Sequence, residues 1–271
     1  MDNPFLKVTI LPSYISGFTF IWEISQSYHE QLPWTFTVEE GPSSEGPWIV
    51  ISPPLVNIFS WFDGKRRVVG KDPVLFFRVK LVTAEGIHYS AIKTPYGDLD
   101  RREYLLVKDI MRREVLQQRT LAGVLAKLWI KATWGAKCTN CIDPITGDVI
   151  SSNCALCMGT GRLPPYHGPY DVWATFTPTQ RNLELKPDGT GLHQPYTWMI
   201  RMVGFPYAKD YDIVVDTASD KRYIVDGVNN ELEIRRVPVI QVLHANELPV
   251  SDPAYRLGTT EEEKGCVIPL Q

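Results

Sequence analysis

The stretch Cys138-Thr-Asn-Cys141-Ile-Asp-Pro-Ile-Thr-Gly147-Asp-Val-Ile-Ser-Ser-Asn-Cys154-Ala-Leu-Cys157-Met-Gly-Thr-Gly161 organises the whole chain. A Cys-x-x-Cys turn aims two thiolates at one point. Two such turns, twelve residues apart, complete a tetrahedral four-thiolate shell with no open position for water or substrate. The spacing therefore points to a structural zinc site with Cys138, Cys141, Cys154 and Cys157 as ligands. Two disulfides, or two independent redox motifs, are the competing readings. A redox motif is expected to open a helix in a βαβ context, whereas these pairs lie among Asp143-Pro144, Thr146-Gly147-Asp148 and Gly159-Thr-Gly161. Residues 136–165, closed by Pro164-Pro165, are too few for a hydrophobic core, so the metal is expected to replace one. Cys266 is left over as a tail thiol.

On the N-terminal side, residues 1–97 read as short strands separated by turns: Leu6–Leu11, Gly17–Ile24, Trp34–Glu39, Trp48–Ile51, Val74–Val82 and Ile87–Ile92. Alternation is plain in Phe18-Thr-Phe20-Ile-Trp22-Glu-Ile24 and in Leu75-Phe-Phe77-Arg-Val79-Lys-Leu81, which predicts a sandwich of about seven strands. From residue 98 to 135 the period changes. Asp100-Arg-Arg-Glu103 has the form of a capping box, and Tyr104, Val107, Ile110, Met111 and Val115 recur at helical spacing. Leu121, Val124, Leu125, Leu128 and Trp129 continue that stripe up to Gly135, predicting one long helix or two with a break near Thr120–Gly123.

On the C-terminal side, residues 166–250 return to strands: Asp171–Thr177, Asn182–Lys186, Tyr196–Val203, Asp212–Asp216, Arg222–Val225 and Val237–Ala245. Turns at Lys186-Pro-Asp-Gly189, Asp216-Thr-Ala-Ser-Asp220 and Val228-Asn-Asn230 divide them, giving a second small barrel or sandwich. Residues 251–271 are expected to form an extended arm. The fold class is thus mainly β, with a central helix or helix pair and a cysteine module between two β bodies.

Composition sets limits on function. The chain has 271 residues, 44% hydrophobic and 22% charged, with a net charge of -3, an ordinary globular profile. No apolar run approaches a membrane span. Met1-Asp-Asn-Pro lacks the regions of a signal peptide, so synthesis in a reducing cytoplasm is expected, where thiols stay available to metal. Residues 98–135 are net basic and 166–250 net acidic, a much weaker bias than the basic stripe of a tight nucleic-acid binder. No P-loop, GxSxG or HExxH occurs. Of the scattered histidines (His29, His88, His167, His193 and His244) only His167 lies near the cysteines as a substitute ligand. Asp210, Asp212 and Asp216 read as turn and strand-end residues. No catalytic role is expected.

Three resemblances follow from these residues. Trp22, and Phe77-Arg-Val79-Lys-Leu81-Val-Thr-Ala-Glu-Gly86 followed by His88-Tyr-Ser90, resemble the B strand and F–G hairpin of fibronectin type III domains. Cys154-Ala-Leu-Cys157-Met-Gly-Thr-Gly161 is similar to the CxxCxGxG knuckle of DnaJ-type co-chaperones, over one copy only. More broadly, Trp134-Gly-Ala-Lys-Cys138 through Gly161, together with Asp212-Ile-Val-Val-Asp216, Arg222-Tyr-Ile-Val225, Glu247-Leu-Pro249 and Asp252-Pro-Ala-Tyr255-Arg-Leu257, resembles virion structural proteins of tailed bacteriophages. That resemblance covers roughly residues 100–257 and looks like neck, or head-tail connector, proteins.

The phage resemblance implies a non-enzymatic subunit of a ring between portal and tail. Such a subunit forms a cyclic homo-oligomer, contacts portal, adaptor or tail-terminator neighbours, and lets DNA pass without sequence-specific binding. The alternative is a zinc-ribbon module that binds nucleic acid or protein through the basic segment Arg101–Lys131.

Overall fold

The computed structural model describes residues 3–13, 17–25, 33–63, 75–95, 99, 101–143, 146, 148–151, 154–179 and 197–258. The chain is mainly β and divides into two compact units, Met1–Asp109 and Ile110–Gln271.

In the first unit β1 (Phe5–Ser13) pairs antiparallel with β2 (Gly17–Ile24). They are followed by β3 (Thr35–Gly41), β4 (Ile49–Val50), β5 (Leu55–Val56), β6 (Ser60–Asp63), β7 (Phe76–Val82) and β8 (Ile87–Tyr89). One sheet has the order β1-β2-β6 and the other β4-β3-β7-β8, with β5 also on β3. The period-2 pattern of the sequence places Phe18, Phe20, Trp22 and Ile24 on one face of β2, and all are buried. They share one core with Phe36 and Val38 of β3 and Phe77, Val79 and Leu81 of β7. Rings interlock across it, Trp22 on Phe36 at 5.3 Å and Phe20 on Phe77 at 5.1 Å. Each such side chain removed from water contributes about 1.5–3 kcal/mol. On the other face of β7, the Arg78 guanidinium lies between the rings of Trp48 (4.3 Å) and Tyr89 (4.2 Å) and donates to Glu39 (2.7 Å). Residue 74, expected to open β7, lies outside the described residues. The expected strands here are found within a few residues of their predicted limits, and β5 and β6 are added.

The helical expectation for 98–135 holds only in part. Helix α1 (Arg101–Gln117) carries Tyr104, Val107 and Met111 buried at i, i+3 and i+7; Asp100 of the expected capping box lies outside the described residues. A π-helical turn, Gln118–Ala122, ends it. Gly123 then turns the chain back: its N–H donates to the Gln118 carbonyl at 2.7 Å, and an added Cβ would also lie 2.7 Å from that oxygen. The continuation is the strand β9 (Val124–Lys131), not helix. Val124-Leu-Ala-Lys-Leu-Trp-Ile-Lys131 fits both periods because the strand is covered on both faces. Ala126, Leu128 and Ile130 are buried on one side and Trp129 on the other, and an apolar run of this kind is ambiguous by periodicity alone.

After β9 come β10 (Ala136–Lys137), β11 (Arg162–Leu163), β12 (Tyr166–Thr179), β13 (Thr197–Val203), β14 (Ile213–Asp216), β15 (Arg222–Ile234) and β16 (Val237–Glu247). A closed barrel runs β12-β13-β16-β15-β14-β9, so the second β body draws its sixth strand from the segment expected to be helical. Leu128 lies opposite Tyr170 on one side and Val214 on the other, and Val214 lies opposite Tyr223; all four are fully buried. Val228-Asn-Asn230, expected as a turn, is the irregular interior of β15. The real turn comes later in the ladder, at Arg235 and Arg236, both left-handed (φ 47° and 64°), with Ile234 paired to Val237. The expected strand Asn182–Lys186 lies outside the described residues. The expected C-terminal arm is docked where it is described: Pro253–Arg256 forms a 3-10 turn, with Ala254 and Leu257 buried.

Candidate metal centre

The cysteine module is the connection between β9 and β12, which are neighbours in the barrel wall. Its root is closed by the Ala132 N–H on the Pro165 carbonyl (2.9 Å). A two-residue ribbon follows, Ala136 opposite Leu163 and Lys137 opposite Arg162. The Cys138 N–H then reaches the Gly161 carbonyl at 3.0 Å, so the first ligand begins where the last glycine ends. After Cys141, Ile142 forms a bridge with Val149, and the Ile150 N–H donates to the Cys141 carbonyl (2.7 Å). The second knuckle winds tightly: Met158 N–H donates to the Cys154 carbonyl (2.8 Å) and Thr160 N–H to the Cys157 carbonyl (2.9 Å). Met158, Gly159 and Gly161 are left-handed, at φ 50°, 77° and 70°. Gly161 has a second reason to lack a side chain, since a Cβ there would lie 2.7 Å from Val149 Cγ2.

These turns bring the four predicted residues together. All four Sγ atoms lie within 4.8 Å of one another, with Cys138–Cys154 at 3.9 Å and Cys141–Cys157 at 3.0 Å. No disulfide joins any of the four in this structure. A tetrahedron with metal–sulfur bonds of about 2.3 Å has sulfur–sulfur edges of about 3.8 Å, which these separations bracket. Cys138, Cys141 and Cys157 are buried and Cys154 is half-buried. Apolar side chains of Ile142, Leu156 and Leu163 surround them.

The thiols do not ionise alike. Cys141 is pushed well above the ordinary thiol range by its contact with Cys157 and by burial. Cys157 is pushed up by burial. Cys154 is drawn down to about 7 by the backbone N–H groups of Cys157 and Leu156 pointing at it. Holding all four as thiolates at this spacing would take a cation at their centre. The donor set fits a soft or borderline ion held in a closed S4 shell, and zinc suits it.

His167 is not brought to the thiols. It lies opposite Ile130 in the barrel wall, buried, with no partner for Nε2 among the described residues, and burial pulls its pKa down to about 4. Asp212 is a strand-end residue as expected, yet it is fully buried: its two oxygens accept from the N–H groups of Lys131 (2.8 Å) and Lys209 (2.7 Å). It thereby ties the 209–212 turn to the last residue of β9, at the root of the module. Burial raises its pKa to about 7 against the pull of those two donors. Asp216 accepts from Ala218 N–H and Ser219 Oγ–H in an exposed turn. Sequence reading missed Met158 and Arg222. Met158 packs on the barrel. Arg222 donates to the carbonyls of Asp220 and Leu257 from a buried position.

No helix among the described residues is long and apolar enough to cross a membrane. The chain matches no protein-family model and no curated protein sequence.

Proposed function

We propose that the chain is a non-enzymatic structural subunit of a tailed-phage virion, placed in the neck as one member of a head-tail connector ring. The observation that carries this reading is the position of the cysteine cage. It fills the connection between two adjacent strands of a closed barrel, where a metal stiffens a load-bearing body and leaves no ligand position for chemistry. The segments resembling phage virion proteins, 134–161, 212–216, 222–225, 247–249 and 252–257, fall on that cage, on β14, on the start of β15, on the end of β16 and on the docked turn. In this reading the ion is zinc and the subunits close into a cyclic homo-oligomer. The first unit is a fibronectin type III-like decoration, a reading its two-sheet strand order supports. The test is cryo-electron microscopy and mass spectrometry of purified particles encoded with this chain. Density for the barrel and cage in the collar supports the proposal, and a chain absent from the particles overturns it.

One observation favours a second reading. Helix α1 exposes Arg102, Arg112 and Arg113, and Arg119 is exposed on the turn that follows, a surface a nucleic-acid-binding zinc module would use. A gel shift that persists at physiological salt and is lost on charge reversal at these arginines supports this reading over the first.

A further inference from the structure

Met158 follows the fourth cysteine and leaves the cage. Its half-buried side chain joins a patch on the barrel wall made by Trp129 of β9, Tyr166 of β12 and Ile213 and Val215 of β14. The same patch seats the C-terminal turn, whose Ala254 and Leu257 are 2% and 7% exposed. The knuckle and the C-terminal turn are therefore two parts of one apolar cluster.

That turn has few attachments of its own. Asp252 caps it through the Ala254 N–H (2.8 Å), and the Tyr255 hydroxyl donates to the Leu248 carbonyl (3.2 Å). Arg222 reaches the Leu257 carbonyl at 3.4 Å and lies 4.5 Å from the Tyr255 ring. A four-residue 3-10 turn has no ladder to hold it, so its place depends on burying Ala254 and Leu257. The knuckle is in the same position: with no core of its own, it orders when its thiolates share a metal. Met158, at φ 50°, sits on that knuckle and packs on the patch.

Resting on the metal reading above, we infer that the metal centre gates the seating of the C-terminal segment. A loaded cage presents Met158 and completes the seat for residues 253–257. An empty cage withdraws Met158 and frees that turn.

The test is hydrogen exchange on the full chain with zinc measured by elemental analysis in the same samples. Three are compared: zinc-loaded wild type, chelator-treated wild type, and zinc-loaded Met158→Ala. Peptides covering 253–257 are expected to exchange about tenfold faster or more in the second and third, with β13 and β16 unchanged. Met158→Leu, of similar volume, is expected to restore slow exchange. Chelated protein whose 136–163 region loosens while 253–257 stays protected overturns the gating and leaves the metal reading intact. A zinc-loaded Met158→Ala that keeps 253–257 protected overturns the role of Met158. A wild type that takes up no zinc overturns the metal reading and the gating together.

Discussion

The N-terminal sandwich and the cysteine module solve the same problem by different means. In the sandwich, every second residue of β2, β3 and β7 enters a shared aromatic core, and removal of apolar area from water offsets the chain entropy lost on folding. In the module the strands are two residues long, and the buried cluster is three cysteines, with Cys154 and three aliphatic side chains partly buried against them. Nothing there approaches the area needed. The difference teaches that order in the first region is distributed over many weak contacts, and in the second is concentrated on one ion.

The largest effect should come from removing that ion. Structural zinc contributes roughly 10–16 kcal/mol in small metal-held folds. Chelation, or Cys157→Ser, is expected to abolish exchange protection across 136–163, while circular dichroism and thermal melting show both β bodies still folded. Collapse of the barrel on chelation would mean that the module is not an appendage of its wall.

The complementary substitution is Trp22→Ala. Trp22 is fully buried, and its indole N–H has no hydrogen-bond partner among the described residues, so its contribution is packing. A loss of about 3–5 kcal/mol from the sandwich transition is expected, with zinc content unchanged. Trp22→Phe keeps most of the contact and should cost far less. Chemical denaturation followed alongside elemental analysis checks both.

The same contrast explains what could be read from the sequence. The sandwich was legible because its core residues recur at every second position, as Phe18, Phe20, Trp22 and Ile24 do in β2, and the cage was legible because ligand spacing is a local property. β9 was not, since Trp129 is buried on the face that solvent would otherwise mark, and Lys127 and Lys131 stand four apart as on a helix. The Arg235–Arg236 turn was hidden for another reason: two arginines held left-handed by the ladder on either side carry no turn signature of their own. Met158 and the docked C-terminal turn depend on tertiary burial, which no window of sequence reports.

Barrel stability should respond to pH through two buried groups of opposite sign. His167 has a folded pKa of about 4 against an ordinary 6.5. Its contribution is therefore complete above pH 6.5 and is lost as pH falls toward 4, by up to about 3 kcal/mol. Asp212, at about 7 against 3.8, favours the folded state while protonated and loses that contribution as pH rises from 3.8 to 7. In the wild type the two slopes oppose each other. Asp212→Asn is expected to unmask His167, so that the metal-free barrel weakens as pH falls from 6.5 to 4, and His167→Phe on that background should flatten the profile. Denaturant titrations across this range, followed by exchange in β13 and β16, measure both slopes.

The smallest effects compare one glycine from each region. Gly86, in the β7–β8 connection of the sandwich, has nothing within 4 Å of the place an added Cβ would take and no left-handed backbone, whereas Gly161 stands at φ 70° with Val149 2.7 Å from where its Cβ would be. Gly86→Ala should leave the sandwich within about 0.5 kcal/mol of wild type. Gly161→Ala imposes a left-handed alanine and displaces Val149, a strain of about 1–3 kcal/mol. Because the module has no apolar core to absorb it, the strain must appear in the ligand geometry. Zinc affinity is then expected to fall by about tenfold to a hundredfold, measured by competition with a colorimetric chelator. Unchanged affinity would show that the knuckle has packing of its own and that the contrast between the two regions is one of degree.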